Sequence, residues 1–342
     1  LQLYIILTLF SSFLNIFSFF ANITNMNFKD FFSNLFEFNN SDTYDFSIIN
    51  EKESISNNEI VKAPDMNYKV FTEINKNLDF LKSKYNTMIC ADIIIREFNM
   101  FAYNENHKCF IIYIDGLADS DSNNDFILKP LMFGKNKNVT PFNGNLLEYV
   151  DNCLLPQNSV EKVQDFQDVF SGINMGDCLL FIDTLDTAFD IDVKSYPQRG
   201  ISNPENESVI KGPQEGFIEN FRTNTAILRR IVNNENLVIE TIPVGKISKT
   251  KCGVCYLQNI ANSDLVSEAK YRLNNLDIDS LLSTGQLEQL IETDEGFGIP
   301  QVLSTERPDK CAKYLFQGRV VILVNGNPYA IILPATIEDF LF

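Results

Sequence analysis

Val209–Val232 reads VIKGPQEGFIENFRTNTAILRRIV, and the rest of the chain is arranged around it. Gly212-Pro213 ends whatever precedes it, and Gly216 adds a second permissive backbone position. From Phe217 the apolar residues fall at helical spacing, with Phe217, Phe221, Leu228 and Ile231 on one stripe. Glu215 and Glu219 lie near the expected helix start and Arg229 and Arg230 near its end, as the helix dipole favours. Arg222, Ala226 and Arg229 share a second, basic face. Two readings follow. Amides at the start of the helix, behind Gly212, Gln214 and Gly216, could hold an anion. The plainer reading has the helix packed between two lobes, its arginines paired to the protein's own carboxylates, and it is favoured because helix starts far outnumber anion sites.

Outward from this stretch, the chain of 342 residues is long enough for two lobes with a sizeable core. Its net charge of -17 argues against nucleic acid as a partner, because a phosphate backbone calls for a basic surface. Seven cysteines, odd in number and irregularly spaced, suit reduced thiols better than a disulfide framework. A single histidine, His107, leaves few catalytic or metal options.

Toward the N-terminus, residues 1–25 form an apolar leader. Leu1–Phe20 carries no charge and is long enough to span a bilayer, yet it lacks an initiating methionine and a basic n-region. Met26 reads as a natural start, which makes the leader either upstream sequence that is not translated or a membrane segment. Residues 26–66 comprise a short amphipathic helix and a polar, flexible tail.

A first α/β subdomain is expected over 67–235. It holds a helix over 67–85, strands in DIIIREF (92–98) and CFIIYIDGL (109–117), and a polar turn between them carrying His107. Helices follow near 125–133, 144–150 and 160–171, then two strands within 176–193 and a linker near 194–208. The second subdomain, 236–342, opens with strands LVIETIPVG and CGVCYLQNI. Ser263 is the expected N-cap of one helix, and Ser283–Gln286 fits a capping box. Pro308 and Gly318 bracket another helix, and Asn325-Gly326 marks the turn of a terminal hairpin. The expected class is α/β or mixed α+β, two subdomains of mixed sheets flanked by helices.

Few residues suggest chemistry. Cys252-Gly253-Val254-Cys255 has no second ligand pair for zinc and lies in a strand-like run, so packing thiols are expected. Asp119–Asp125 lacks the glycine and glutamate of a calcium loop. Asp183, Asp186, Asp190 and Asp192 read as solvated hairpin carboxylates. No nucleophile elbow or phosphate loop appears, and the expectation is no catalytic residue, no metal and no cofactor. The turn Thr305–Asp309 sits where α/β folds often place ligands, but helix capping and an internal Glu–Arg pair explain it without one. Its Glu306, Arg307 and Asp309 join Arg222, Arg229 and Arg230 as candidate contacts between lobes or subunits.

KGPQEGFIENFRTNTAILRR (211–230), LSTGQLEQLIE (282–292), the block from Ile299 to Phe340, and the shorter DIIIREF and YIDGLAD closely resemble the GerA-type spore germination proteins, the A subunits of nutrient germinant receptors. The resemblance implies two α/β subdomains ahead of a membrane domain that would follow residue 342. It also implies a permease-like B subunit and a lipoprotein C subunit as partners, and self-association through that membrane domain. The expected location is the inner spore membrane, with this region facing the spore core. The implied function is coupling of nutrient sensing to ion release. A stand-alone two-lobed module binding an anion or an amino acid is the alternative.

Overall fold

The structure, a computed structural model, describes residues 68–102, 105–133, 144–195, 212–292 and 300–340. Readings of the leader, the amphipathic helix, the tail and most of the linker fall outside these residues.

Helix α1 (Ile74–Lys84) is followed by the hairpin β1 (Ile93–Ala102) and β2 (Glu105–Ile114). Asp119 then caps a helical segment, α2, made of Ser120–Ser122, a π-helical stretch Asn123–Leu128, and Lys129–Phe133. Next come α3 (Leu146–Tyr149) with a π-helical continuation, β3 (Val160–Val163), α4 (Phe166–Met175), β4 (Cys178–Ile182) and β5 (Ala188–Ile191). The expected helix over 160–171 is thus a strand followed by a helix. Gln164 and Asp165 break the run: the Gln164 carbonyl accepts the Val70 N–H, the Phe166 N–H donates to the Tyr68 carbonyl, and Asp165 bridges Lys69. His107 lies within β2, opposite Met100, not in a turn.

The second half begins with α5 (Phe221–Val232), then β6 (Leu237–Val244), β7 (Thr250–Leu257), α6 (Ser263–Asn274) and α7 (Thr284–Ile291). It closes with β8 (Leu303–Thr305), α8 (Pro308–Phe316), β9 (Val320–Val324), β10 (Ala330–Leu333) and a 3-10 turn at Ile337–Phe340. Asn262, not Ser263, caps α6, its side-chain oxygen accepting from the Asp264 N–H. Ser283 caps α7 as its capping box implies. The terminal hairpin has a loop longer than the two residues Asn325-Gly326 suggests, since β10 resumes only at Ala330.

The fold is α+β, with two five-stranded sheets ordered β1-β2-β4-β5-β3 and β6-β7-β9-β10-β8. Every strand pairing is antiparallel; β1-β2, β4-β5, β6-β7 and β9-β10 are hairpins, while β2-β4 and β7-β9 are joined through intervening helices and a strand. The two orders are the same, and the likeness extends to single residues. Asn77 in α1 accepts from the Phe71 N–H at 2.8 Å and donates to the Phe71 carbonyl at 2.6 Å. Asn224 in α5 does the same with Ile218, at 2.9 and 2.5 Å. Both helices are followed by an asparagine in the left-handed region, Asn86 and Asn233, at the same spacing. Both α4 and α8 are followed by a positive-φ glycine, Gly176 and Gly318, two residues ahead of the next strand. The halves are two copies of one architecture.

Each sheet buries both faces. One face of the first sheet packs against α1 and α4, the other against α2 and α3. In the second sheet, α6 and α7 cover one face, α5 and α8 the other. Gly253 lets Phe221 lie directly on β7, because a Cβ there would sit 2.8 Å from the ring. One set of buried apolar residues runs through both halves and includes Leu81, Tyr85, Cys90, Ala226 and Val238.

Candidate functional site

The organising helix starts later than its apolar stripe suggests. Asn220 accepts the Thr223 N–H at 3.0 Å and opens α5 at Phe221. Phe217 lies in the extended lead-in, where its N–H donates to the Glu306 carbonyl at 2.8 Å. Gly212 and Gln214 are exposed and Gly216 is buried, all well ahead of the first helical residue. The glycine turn and the helix start are therefore separate features.

The basic face of α5 meets the first half of the chain. Arg229 holds the Asp92 carboxylate through two atoms, Nε to Oδ2 at 2.7 Å and Nη2 to Oδ1 at 2.9 Å. The side chains are 1% and 0% exposed, so this ion pair is fully withdrawn from water. Nη2 also lies 3.2 Å from the Cys90 sulfur, while Nη1 is buried without a hydrogen-bond partner. Burial pushes the guanidinium toward neutrality, but the Asp92 charge and its hydrogen bonds outweigh this and raise its pKa above the ordinary arginine value. One turn earlier, Ala226 is small enough to approach Gly116. One further turn back, Arg222 Nε reaches Asp115 at 2.9 Å across a half-exposed edge. Gly116 has φ +91, and a Cβ there would press on the Arg222 side chain at 3.1 Å.

Backbone contacts reinforce these charges. The Ala91 N–H donates to the Ile239 carbonyl at 3.0 Å, and Cys90 forms an isolated antiparallel bridge with Glu240. Lys84 reaches Glu235 at 3.3 Å. The start of β1, the end of β2 and the start of β6 thus converge on α5.

The other candidates lie elsewhere. Arg230 pairs with Glu215 in the lead-in to α5. Arg307 forks onto Asp309 two residues on, at 3.1 and 2.5 Å, and Glu306 is buried beside them. Their turn meets the lead-in through the Phe217–Glu306 backbone bond. Sequence reasoning passed over the acidic partners. Asp92 and Asp115 stand at the strand ends within DIIIREF and YIDGLAD, and an acid bounding an apolar run was the available signal.

Cys252 and Cys255 lie on opposite faces of β7, both buried free thiols, with burial pushing Cys252 up to about 12. Among the described residues, no group of three or more His, Cys, Asp or Glu could hold a metal ion, and no helix is long and apolar enough to cross a membrane. A polar hollow of about 410 Å³, bordered by Asp119, Ser122, Phe126, Asn158, Asp192 and Lys194, lies in the first half, away from α5.

What the fold and this site define is a duplicated α+β protein whose most deeply buried charges fasten its halves together. The family described as Bacillus/Clostridium GerA spore germination protein matches residues 79–342, and the chain belongs to it. It is 36% identical over 276 residues to spore germination protein B1 of Bacillus subtilis (strain 168), covering 79% of this chain and 54% of that protein. It is 32% identical over 250 residues to spore germination protein KA of the same organism, covering 73% and 45%. The chain spans about half the length of the curated relatives it matches. Among solved structures it resembles the N-terminal domain of the A subunit of the Bacillus megaterium spore germinant receptor GerK3. The TM-score is 0.57 at 29% identity, over 79% of this chain and 98% of that one.

Proposed function

We propose that this chain is the N-terminal region of a germinant receptor A subunit, and that its halves shift about α5 to couple nutrient sensing to ion release. The observation that carries the reading is the Arg229–Asp92 pair. A buried ion pair contributes little net stability, but removing one partner is strongly destabilising, and in this reading the role of the pair is to select one arrangement of the halves over another. The unmet Nη1 donor of Arg229 limits how firmly this arrangement is held. Arg222–Asp115 at the rim is the adjustable part, half-exposed and able to exchange partners. Two subdomains divided near residue 235 are the moving parts in this reading.

The proposed partners are a permease-like B subunit, a lipoprotein C subunit and further A subunits. The proposed location is the inner spore membrane, with this region facing the spore core. Arg222→Glu in the full-length receptor tests the role. Nutrient-triggered germination should fall, and Asp115→Arg in the same chain should restore it by re-forming the pair in reverse. Unchanged germination of the single variant at normal protein level contradicts the proposal.

A further inference from the structure

We propose that Asp190 holds a proton in the folded first half and that releasing it loosens α4 from the sheet. Asp190 lies on β5 with its carboxylate against the backbone of Gly172, where a Cβ on α4 would collide with Oδ2. Its Oδ1 is buried and makes no hydrogen bond. The charges around it are mostly of its own sign. Glu161 stands directly opposite on β3, an unfavourable like-charge cross-strand pair. Asp177 enters from just ahead of β4, Asp192 follows just past the end of β5, and Lys194 is the single cation among them. That ammonium is committed elsewhere, 2.8 Å from Asp177 and 3.8 Å from Asp192. From α4 comes the backbone of Gly172, and across β4 the facing residue is Leu179.

The duplication shows that the fold does not need an acid here. Aligning β5 with β10 and α4 with α8 sets Asp190 against Ile332 and Gly172 against Tyr314. At those positions the second half carries Ile332 and the ring of Tyr314, both buried. The first half instead has a carboxyl group and a glycine that makes room for it.

Burial, and after it the Asp177 charge, push Asp190 up to about 7. A carboxyl raised on folding binds an extra proton in the folded state. Stability is therefore greatest on the acid side, falls as pH climbs toward neutrality, and levels off above the raised value. Helix α4 also carries Asn174, which accepts from the Tyr85 hydroxyl at 3.3 Å. Its loosening is thereby felt beside the Arg229 joint, although the proton switch itself does not depend on any signalling role.

The test is urea denaturation of the full 342-residue chain, wild type and Asp190→Asn, at pH 5 and pH 7. A proton bound at pH 5 and half released by pH 7 gives about a fiftyfold fall in the folding equilibrium constant over those two units, over and above the change in the variant. Equal pH dependence in the two proteins overturns the proposal. Should Asp190→Asn not fold, NMR titration of the wild-type Asp190 carboxyl decides the matter. A midpoint near neutrality supports the switch, and one in the ordinary acidic range overturns it.

Discussion

Asp92 and Arg229, drawn from opposite halves of a duplicated chain, meet as a two-pronged ion pair with both side chains withdrawn from water. The charges neutralise each other only while the halves stay in register. The cost of breaking the pair should far exceed the cost of doing without it.

Asp92→Ala leaves the guanidinium buried and unpaired, and should destabilise the protein by about 3–5 kcal/mol. Asp92→Leu with Arg229→Met removes both charges together and should recover most of that loss. Chemical denaturation of Asp92→Leu, Arg229→Met and the double variant closes the cycle. An additive result denies that the pair acts as a unit.

The asparagines at matching places in α1 and α5 make a second prediction. Asn77→Ala and Asn224→Ala each strand a half-buried N–H and carbonyl, at about 1–2 kcal/mol apiece. Asn75→Ala, on the exposed side of α1, should change stability by less than about 0.5 kcal/mol. Unequal effects for the first two, by denaturant titration, would deny that the two halves are built alike.

Much of this was legible from sequence, and the misses share a cause. Long apolar runs such as Cys109–Leu117 and Val320–Val324 declared themselves as strands, because a strand buried on both faces shows no alternation. The class, the two terminal strands and the Pro308 and Gly318 boundaries came from local rules. Val160–Ser171 misled because four strand residues were too few to outweigh the helical period after them. The start of α5 misled because Phe217 is apolar for a different purpose, filling the core beside Phe221 from outside the helix. Arg222 and Arg229 stood out as basic exceptions in an acidic chain. Their partners lie more than a hundred residues away, a distance over which spacing rules carry no information.

Near the end of the chain, Asp339 accepts from Arg319, from Tyr314 at 2.9 Å and from the Thr336 N–H at 2.7 Å. Burial alone would raise this carboxyl, but the Arg319 and Thr336 bonds win and bring it down to about 2. A carboxylate lowered on folding contributes stability that is present above its ordinary value and lost as pH falls through the lowered one. Asp339→Asn should cost about 2 kcal/mol at pH 7. It should also show a shallower loss of stability between pH 4 and pH 2, followed by far-UV circular dichroism in denaturant series.

Gly253 offers a packing test within the CxxC stretch. Gly253→Val drives a side chain into the Phe221 ring and should cost about 1–3 kcal/mol. The paired change Phe221→Ala should not add its full separate cost, since the ring is already displaced. Thermal midpoints of the four proteins decide it.

The central claim is that the halves move against each other about α5 when the receptor responds. Spin labels at Asn99 and Lys251, exposed positions on β1 and β7, report the separation of the two sheets in the assembled full-length receptor. The account predicts that the distance distribution shifts when the germinating nutrient is added, and that Arg222→Glu abolishes the shift. A distribution that stays the same with and without nutrient, in a receptor that still germinates spores, contradicts it.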